Sequence, residues 1–202
     1  MKKRSKIILF GAGGHALSVI DVIEKTKKFK ILFIVDKFEG FVGKYKVYKQ
    51  NEEIDYYKKY SNRAFISIGQ IKDSNPRKIL YKKLIKNKYI LPKIVSPYAY
   101  VSSSARIGNG SIIMHHALVN SYAEIGENCI VNSKTLIEHS ARVENNCHLS
   151  TGSIINGDCY IKKDSFIGSN ATIIQGVIIG EKSIIGAGQI IKKNLKSKSI
   201  YK

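Results

Sequence analysis

The sequence lacks any apolar run that approaches the ~18 residues of a membrane-spanning helix, so we expect no membrane insertion. Its N-terminus reads as a short strand followed by glycines rather than as a secretory signal, and we therefore expect a cytoplasmic protein. Acidic residues are also scarce, with 15 against 34 lysines and arginines, and the formal net charge is +19. At 202 residues, the chain has room for one large domain or two small ones.

The excess positive charge is unevenly distributed. Residues 1–100 carry a net charge of +15 and the last twelve residues contain five lysines, whereas residues 101–190 have a net charge of −1. The lysines are dispersed, with neither the aromatic platform nor the basic helix of a nucleic-acid-binding protein. We therefore expect no nucleic-acid partner, and we interpret the charge as a compositional bias that also favours anionic small molecules.

The C-terminal half contains an uninterrupted six-residue repeat. Val, Ile or Leu occupies every sixth position from Val101 to Ile185, fifteen times in all, and the residue four positions later is small in fourteen of these hexapeptides. This period predicts a parallel β-helix, because three hexapeptides make one triangular coil. Fifteen hexapeptides predict five coils, stacked at the ~4.8 Å spacing of neighbouring strands.

The repeat also explains the few cysteines. Cys129, Cys147 and Cys159 all occupy the small position of their hexapeptides. We therefore predict that they are buried packing residues rather than disulfide, metal-binding or catalytic groups.

The N-terminal half alternates strands with helices and predicts a small Rossmann-like parallel sheet. Strands are predicted at 7–10, 31–35, 64–68 and 90–95, with helices near 52–60 and 76–86. A further helix after the first strand is predicted to bury Leu17, Ile20, Val22 and Ile23. We place an α/β domain at 1–96 and a β-helix domain with a short basic tail at 97–202.

The turn after the first strand matches a nucleotide-binding fingerprint. Gly11, Gly13 and Ala16 have the G-x-G-x-x-A spacing, and Asp36 follows twenty residues later. Such glycines let a phosphate approach the N-terminus of a helix, and the carboxylate would reach a ribose hydroxyl. About a hundred residues with four strands suit a mononucleotide, as in a nucleotide sugar, better than a dinucleotide.

The two halves together resemble a known family, the sialic-acid O-acetyltransferases and bacillosamine-pathway N-acetyltransferases. The resemblance covers essentially the whole chain and rests on the motifs Gly11-Ala12-Gly13-Gly14-His15, Ser67-Ile68-Gly69 with Arg77, Leu136-Ile137-Glu138-His139, His148-Leu149-Ser150-Thr151-Gly152 and Ile185-Gly186-Ala187-Gly188. It implies a left-handed β-helix and a homotrimer with active sites between neighbouring subunits. It also implies acetyl transfer from acetyl-coenzyme A, without a metal, to the amine of a UDP- or dTDP-linked 4-amino-6-deoxy sugar for bacterial surface glycans such as O-antigen.

The resemblance implies a role for each matching residue. His139 is the expected general base, with Asn132 positioning the acceptor and His148 near the acyl group. Glu138 would orient the base, because Ser140 stands where the N-acetyltransferases usually have an acid. Gly157 lies one coil above His139 and offers an oxyanion donor. The implied nucleotide-sugar contacts are Gly11, Gly13, Gly14, His15, Asp36, Lys37, Gly69 and Arg77, and the implied coenzyme contacts are Ser150, Gly152, Gly157, Ser169, Ala187, Gly188 and Lys192.

Three alternatives stay open at this point. The same chemistry would serve O-acetylation of sialic acid or a related sugar. The glycine turn and Asp36 also fit a nicotinamide-binding protein, and Ser140 and the short tail fit a non-catalytic trimeric scaffold. Metal catalysis is disfavoured, because His139 and His148 are nine residues, or half a coil, apart and no third histidine follows at a ligand spacing.

Overall fold

The computed structural model of the chain describes residues 4–50, 53–71 and 73–202. The N-terminal part forms a five-stranded sheet in the order β3-β4-β2-β1-β5 with two helices, and the C-terminal part is a parallel solenoid. The N-terminal elements are β1 Ser5–Phe10, α1 Gly14–Thr26, β2 Phe29–Asp36, β3 Gly40–Val42, β4 Tyr45–Lys49, β5 Ala64–Ile66 and α2 Asn75–Lys86. No helix among the described residues is long and apolar enough to cross a membrane.

The sheet is parallel except at one edge. β1 pairs in parallel with β2 and β5, and β2 pairs in parallel with β4, while β3 and β4 form an antiparallel hairpin. The sequence pattern missed this hairpin because β4 alternates Tyr and Lys around Val47, its single buried residue, and so contains no apolar run. The predicted α/β domain is otherwise confirmed.

Three local predictions need correction. Leu17 is 56% exposed, and α1 instead buries Ala16, Val19, Ile20, Val22 and Ile23. The helix predicted near 52–60 is a 3₁₀ segment, Ile54–Lys59, among the described residues. The strand predicted at 90–95 is divided, since Ile90 makes only an isolated bridge to Arg63 whereas Ile94–Val95 forms the first strand of the solenoid.

The solenoid confirms the hexapeptide prediction and extends it by one strand at the N-terminal end and by two strands at the C-terminal end. Three parallel sheets of seven, six and five strands run along it, which corresponds to six coils. The first sheet contains Ile94–Val95, Ile112–Ile113, Ile130–Val131, His148–Leu149, Phe166–Ile167, Ile184–Ile185 and Ile200–Tyr201. The second contains Tyr100–Val101, Leu118–Val119, Leu136–Ile137, Ile154–Ile155, Thr172–Ile173 and Ile190–Ile191. The third contains Arg106–Ile107, Glu124–Ile125, Arg142–Val143, Tyr160–Ile161 and Ile178–Ile179.

Each two-residue strand except the last, Ile200–Tyr201, points its second residue into the solenoid core, where the three cysteines also lie buried as free thiols. Between strands the chain turns at three corners. We call them the first corner (from the first to the second sheet), the second corner (from the second to the third) and the third corner (from the third back to the first). One corner residue in each hexapeptide, every sixth residue from Gly110 to Gly188, has a positive φ. Lys134 and Lys182 accept this left-handed conformation despite their side chains, so the strand ladders of adjacent coils impose it.

The N-terminal domain packs on the first sheet of the solenoid. Ile94, Ile112 and Ile130 point outward from that sheet and join the core formed by α1 and β1. At the third corner, Lys78 of α2 forms an ion pair of 2.6 Å with Asp164, whose side chain is buried. Because apolar and polar contacts both cross the junction, the two domains enclose a cleft of defined shape.

Candidate active site

The cleft between the domains has a volume of about 910 Å³ and opens beside the first corner of the solenoid. It collects residues from distant parts of the chain: the glycine turn, the end of β2, the loop after β5, and the first sheet and first corner. Eleven of the predicted site residues line it, namely Gly13, Gly14, His15, Asp36, Lys37, Gly69, Asn132, His148, Ser150, Ser169 and Ala187. The structure thus brings six of the eight predicted nucleotide-sugar residues and three of the seven predicted coenzyme residues to one cavity.

The glycine turn presents the start of α1 to this cleft. Gly13 caps the helix and Gly14 begins it, and a Cβ atom added to either would meet nothing within 4 Å. Free space and unpaired N–H groups at a helix N-terminus form an anion site. Gly11 has a different function: at φ +111°, an added Cβ would lie 2.5 Å from Ile68, so this glycine allows close packing and does not line the cleft.

Asp36 holds the turn in place. One carboxylate oxygen accepts the Ala12 N–H at 2.5 Å, and the other accepts the Lys37 N–H at 2.6 Å. The half-buried carboxylate also lines the cleft beside Lys37. Asp36 therefore shapes the glycine turn as well as offering an acceptor to a ligand.

Two neutral histidines lie deep in the cleft, with ring centroids 6.5 Å apart. Burial, assisted by the charge of Arg77 and by His148, lowers the pKa of His15 to about 3. Burial also lowers the pKa of His148 to about 4, against the raising effect of its bond to the Gln70 carbonyl. Among the described residues, the buried His15 Nε2 has no hydrogen-bond partner, so it is available to a ligand.

His139 lies outside this cleft. It is exposed at the second corner of the solenoid, and its ring lies against Gly157 one coil above, where an added Cβ would approach Nε2 to 2.7 Å. The Gly157 N–H makes no hydrogen bond within the described chain, as expected of a free donor. Glu138 accepts a hydrogen bond from Asn120 at 2.8 Å, and among the described residues its side chain forms neither a hydrogen bond nor an ion pair with His139.

The remaining predicted residues are also outside the cleft. Gly152 and Gly188 occupy the left-handed corner position, which gives them a backbone role. Lys192 is exposed at a separate depression near the C-terminus. Arg77 is fully buried and donates to four backbone carbonyls, so the prediction that it contacts substrate is corrected to a bracing role between the domains.

The sequence analysis missed several cleft residues: Ile68, Gln70, Ile71, Asp73, Phe166 and Gly168. Phe166 occupies the outward position of the first sheet directly above His148, and their rings lie 5.2 Å apart. Counting eighteen residues forward from His148 identifies this neighbour, so the repeat itself contained the signal. In the described ranges, no cluster of three or more His, Cys, Asp or Glu side chains is placed to hold a metal ion.

Comparison with known proteins agrees with this two-domain arrangement. Residues 6–84 match the PglD N-terminal domain family, and residues 161–193 match the hexapeptide repeat of succinyl-transferase. A histidine-to-asparagine variant of perosamine N-acetyltransferase from Caulobacter crescentus, in complex with CoA and GDP-perosamine, superposes with a TM-score of 0.90 at 27% identity over 97% of this chain and 92% of that one. The chain thus combines a segment that matches the PglD N-terminal domain with a hexapeptide-repeat segment, and it shares its fold with a sugar N-acetyltransferase.

Two further solved structures share the fold at lower identity. The acetyltransferase domain of PglB from Neisseria gonorrhoeae, in complex with acetyl coenzyme A, has a TM-score of 0.87 at 24% identity over 96% of this chain and 94% of that one. WeeI from Acinetobacter baumannii has a TM-score of 0.83 at 20% identity over 97% and 96%. A search of curated protein sequences found no match.

Proposed function

We propose that the protein transfers the acetyl group of acetyl-coenzyme A to the amine of a nucleotide-linked 4-amino-6-deoxy sugar. The observation that carries the proposal is the whole-chain match, at 27% identity, to an N-acetyltransferase structure that contains both CoA and GDP-perosamine. That ligand extends the candidate nucleotides from UDP and dTDP to GDP. The O-acetyl, nicotinamide and scaffold alternatives are not favoured, because no comparable observation supports them.

The nucleotide sugar occupies the interdomain cleft in this proposal. The Gly13 and Gly14 turn receives the diphosphate at the N-terminus of α1, and Asp36 and Lys37 stand at the edge of the same cavity. The net charge of +15 on residues 1–100 favours the approach of an anionic substrate. Coenzyme A runs along the first corner, past Ser150, Ser169 and Ala187.

His139 acts as the general base. It takes a proton from the sugar amine while the nitrogen attacks the thioester carbonyl, and collapse of the tetrahedral intermediate expels the coenzyme A thiolate. An imidazole nitrogen can accept this proton, and the exposed ring of His139 can release it to solvent. The free Gly157 N–H beside the ring stabilises the oxyanion.

A homotrimer places this base at the cleft of a neighbouring subunit. The outward residues of the second sheet include Leu118, Leu136 and Ile154, an apolar column on successive coils. The third sheet instead exposes Arg106, Glu124 and Arg142. The second sheet is therefore the better interface, and its two edges are the first corner with the cleft and the second corner with His139. A cyclic head-to-tail contact through this sheet joins one copy's cleft to the next copy's base.

The test is an acetyl-transfer assay that follows release of the free thiol. Purified protein is incubated with acetyl-coenzyme A and GDP-, UDP- or dTDP-linked 4-amino-6-deoxy sugars, beside free sialic acid. We expect turnover on one nucleotide amino sugar and a loss of about 10²–10⁴-fold in His139→Gln. The matched control is His116→Gln, at an exposed histidine of the first corner. Turnover of sialic acid alone would favour O-acetylation. If no acceptor causes release of the free thiol, the proposal is rejected.

A further inference from the structure

Gln70, in the loop between β5 and α2, connects the nucleotide-binding domain to a histidine of the solenoid. The residue is only 4% exposed. Its side-chain Nε2 donates to the Asn146 carbonyl at the third corner over 2.6 Å, and its backbone carbonyl accepts a hydrogen bond from His148 Nδ1. The side-chain bond therefore fixes the loop whose carbonyl contacts the imidazole.

These bonds determine the tautomer of His148. A backbone carbonyl can only accept, so Nδ1 must carry the proton. Burial lowers the pKa of His148 to about 4, so the ring is neutral near pH 7 and its Nε2 has a free lone pair. Asn132 agrees with this assignment: its Oδ1 accepts the Ser133 N–H at 2.8 Å, and its Nδ2 donor lies 3.4 Å from His148 Nε2.

The long contact between Asn132 Nδ2 and His148 Nε2 leaves Nε2 able to accept a shorter hydrogen bond from another donor. At 3.4 Å it is longer than the usual N–H···N or N–H···O bond. Both side chains line the cleft, so a ligand N–H can reach the lone pair of His148. A protonated Nδ1 combined with an unprotonated Nε2 cannot donate to a developing oxyanion from the Nε2 side.

We propose that Gln70 is a positioning residue that holds His148 in the Nδ1–H tautomer, so that Nε2 accepts a hydrogen bond from an N–H group of a bound substrate. The substrate assignment rests on the proposed function, but the tautomer does not. Two N–H donors have this chemistry: the amides of the coenzyme's pantetheine arm and the amino group of the sugar.

The tautomer is measured by two-bond ¹H–¹⁵N correlation NMR on protein with ¹⁵N-labelled histidine rings. We expect a protonated Nδ1 and an unprotonated Nε2 for His148. The ring resonances of His148 are assigned as those that disappear in His148→Gln. Coenzyme A and the nucleotide amino sugar are then added in separate titrations. The ligand that changes the chemical shift of His148 Nε2 is the one that supplies the donor. A protonated Nε2, or no change of this shift in either titration, would overturn the proposal.

The role of Gln70 is tested with Gln70→Met, which keeps the side-chain length and removes the donor to Asn146. We expect a mixture of His148 tautomers and a fall of about tenfold in kcat, the equivalent of one hydrogen bond, with a smaller change in KM. Gln50→Met is the matched control, because Gln50 is exposed on the N-terminal domain. An unchanged tautomer in Gln70→Met would refute the positioning role. Because the NMR readout needs no turnover, failure of the proposed acetyl transfer would be seen separately.

Discussion

Replacing Arg77 by Met should destabilise the protein without weakening its affinity for substrate. Nη1 donates to the Ile66 and Ile68 carbonyls at 2.6 and 2.9 Å, beside the nucleotide-binding loop. Nη2 donates to the Gly110 carbonyl at 3.2 Å, and Nε to the Asn128 carbonyl at 3.3 Å, both in the solenoid. Burial lowers the pKa of Arg77 to about 10, so the guanidinium remains charged at neutral pH.

The magnitude follows from these four bonds. A hydrogen bond to a charged group contributes about 1.5–3 kcal/mol net, and the two bonds longer than 3 Å contribute less. The desolvation penalty of a buried guanidinium, which Met does not carry, offsets part of the loss. We expect a net loss of about 3 kcal/mol in the free energy of unfolding. For a chain of this size, that corresponds to a fall in Tm of roughly 10 °C.

Thermal unfolding and steady-state kinetics together measure this effect. Arg106→Met is the matched control, since the Arg106 side chain is 84% exposed and has only a 3.9 Å contact with Glu124. We expect an unchanged Tm in the control, and a lowered Tm with an unchanged sugar KM in Arg77→Met below its unfolding transition. An unchanged Tm with a raised KM would refute the bracing role and restore Arg77 as a substrate contact.

Two further predictions concern the histidines. In Gly157→Ala the new Cβ would lie 2.7 Å from the ring of His139. We expect kcat to fall about 10²-fold because the ring is displaced, with little change in Tm because an exposed ring can move aside. Gln175→Ala at the same corner is the control, and full activity in Gly157→Ala would contradict the assigned geometry. Because the folded pKa values of His15 and His148 are lowered to about 3 and about 4, their contribution to stability is complete above about pH 6.5 and declines as the pH falls towards 4. Denaturant titrations should show a loss of up to about 1.4 kcal/mol per pH unit for each histidine, and an unchanged slope in the doubly substituted His15→Gln, His148→Gln protein would reject this origin.

The solenoid was predictable because each hexapeptide repeats the same local stereochemistry. An aliphatic residue enters the core and a small residue fits the corner, so register, coil size and the burial of Cys129, Cys147 and Cys159 all follow from counting. The six-residue series of left-handed corner residues was missed because His116 and Tyr122 adopt this conformation as readily as Gly110. There the neighbouring coils impose the conformation, and residue type gives no signal.

The cleft was only partly predictable, since it depends on how two domains pack. The glycine turn and Asp36 are local in sequence, so they could be singled out from it, and the structure places Gly13, Gly14 and Asp36 in the cleft. Arg77 was assigned to the substrate only through the family resemblance, whereas its contacts join backbone carbonyls of both domains; two of these, Gly110 and Asn128, lie 33 and 51 residues away in the sequence. Gln70 carried no sequence signal, because its side chain and its backbone carbonyl contact Asn146 and His148, which lie 76 and 78 residues away in the sequence.

The separation of His139 from the cleft leads to a prediction about assembly. Within one copy, the cleft opens at the first corner and His139 lies at the second, on opposite edges of the second sheet. In the proposed mechanism, one chain therefore does not complete the site. A variant without the base, His139→Gln, and a variant with a blocked cleft, Gly14→Leu, should each be inactive as purified homotrimers. When the two are unfolded, mixed in equal amounts and refolded together, random assembly pairs an intact cleft with a neighbour's intact base in roughly a quarter of the sites. Acetyl transfer should therefore return to roughly a quarter of the rate of refolded wild-type protein. If each copy used its own base, no mixed trimer would contain a complete site, and a mixture that stays inactive while forming mixed trimers by mass spectrometry would refute the shared site.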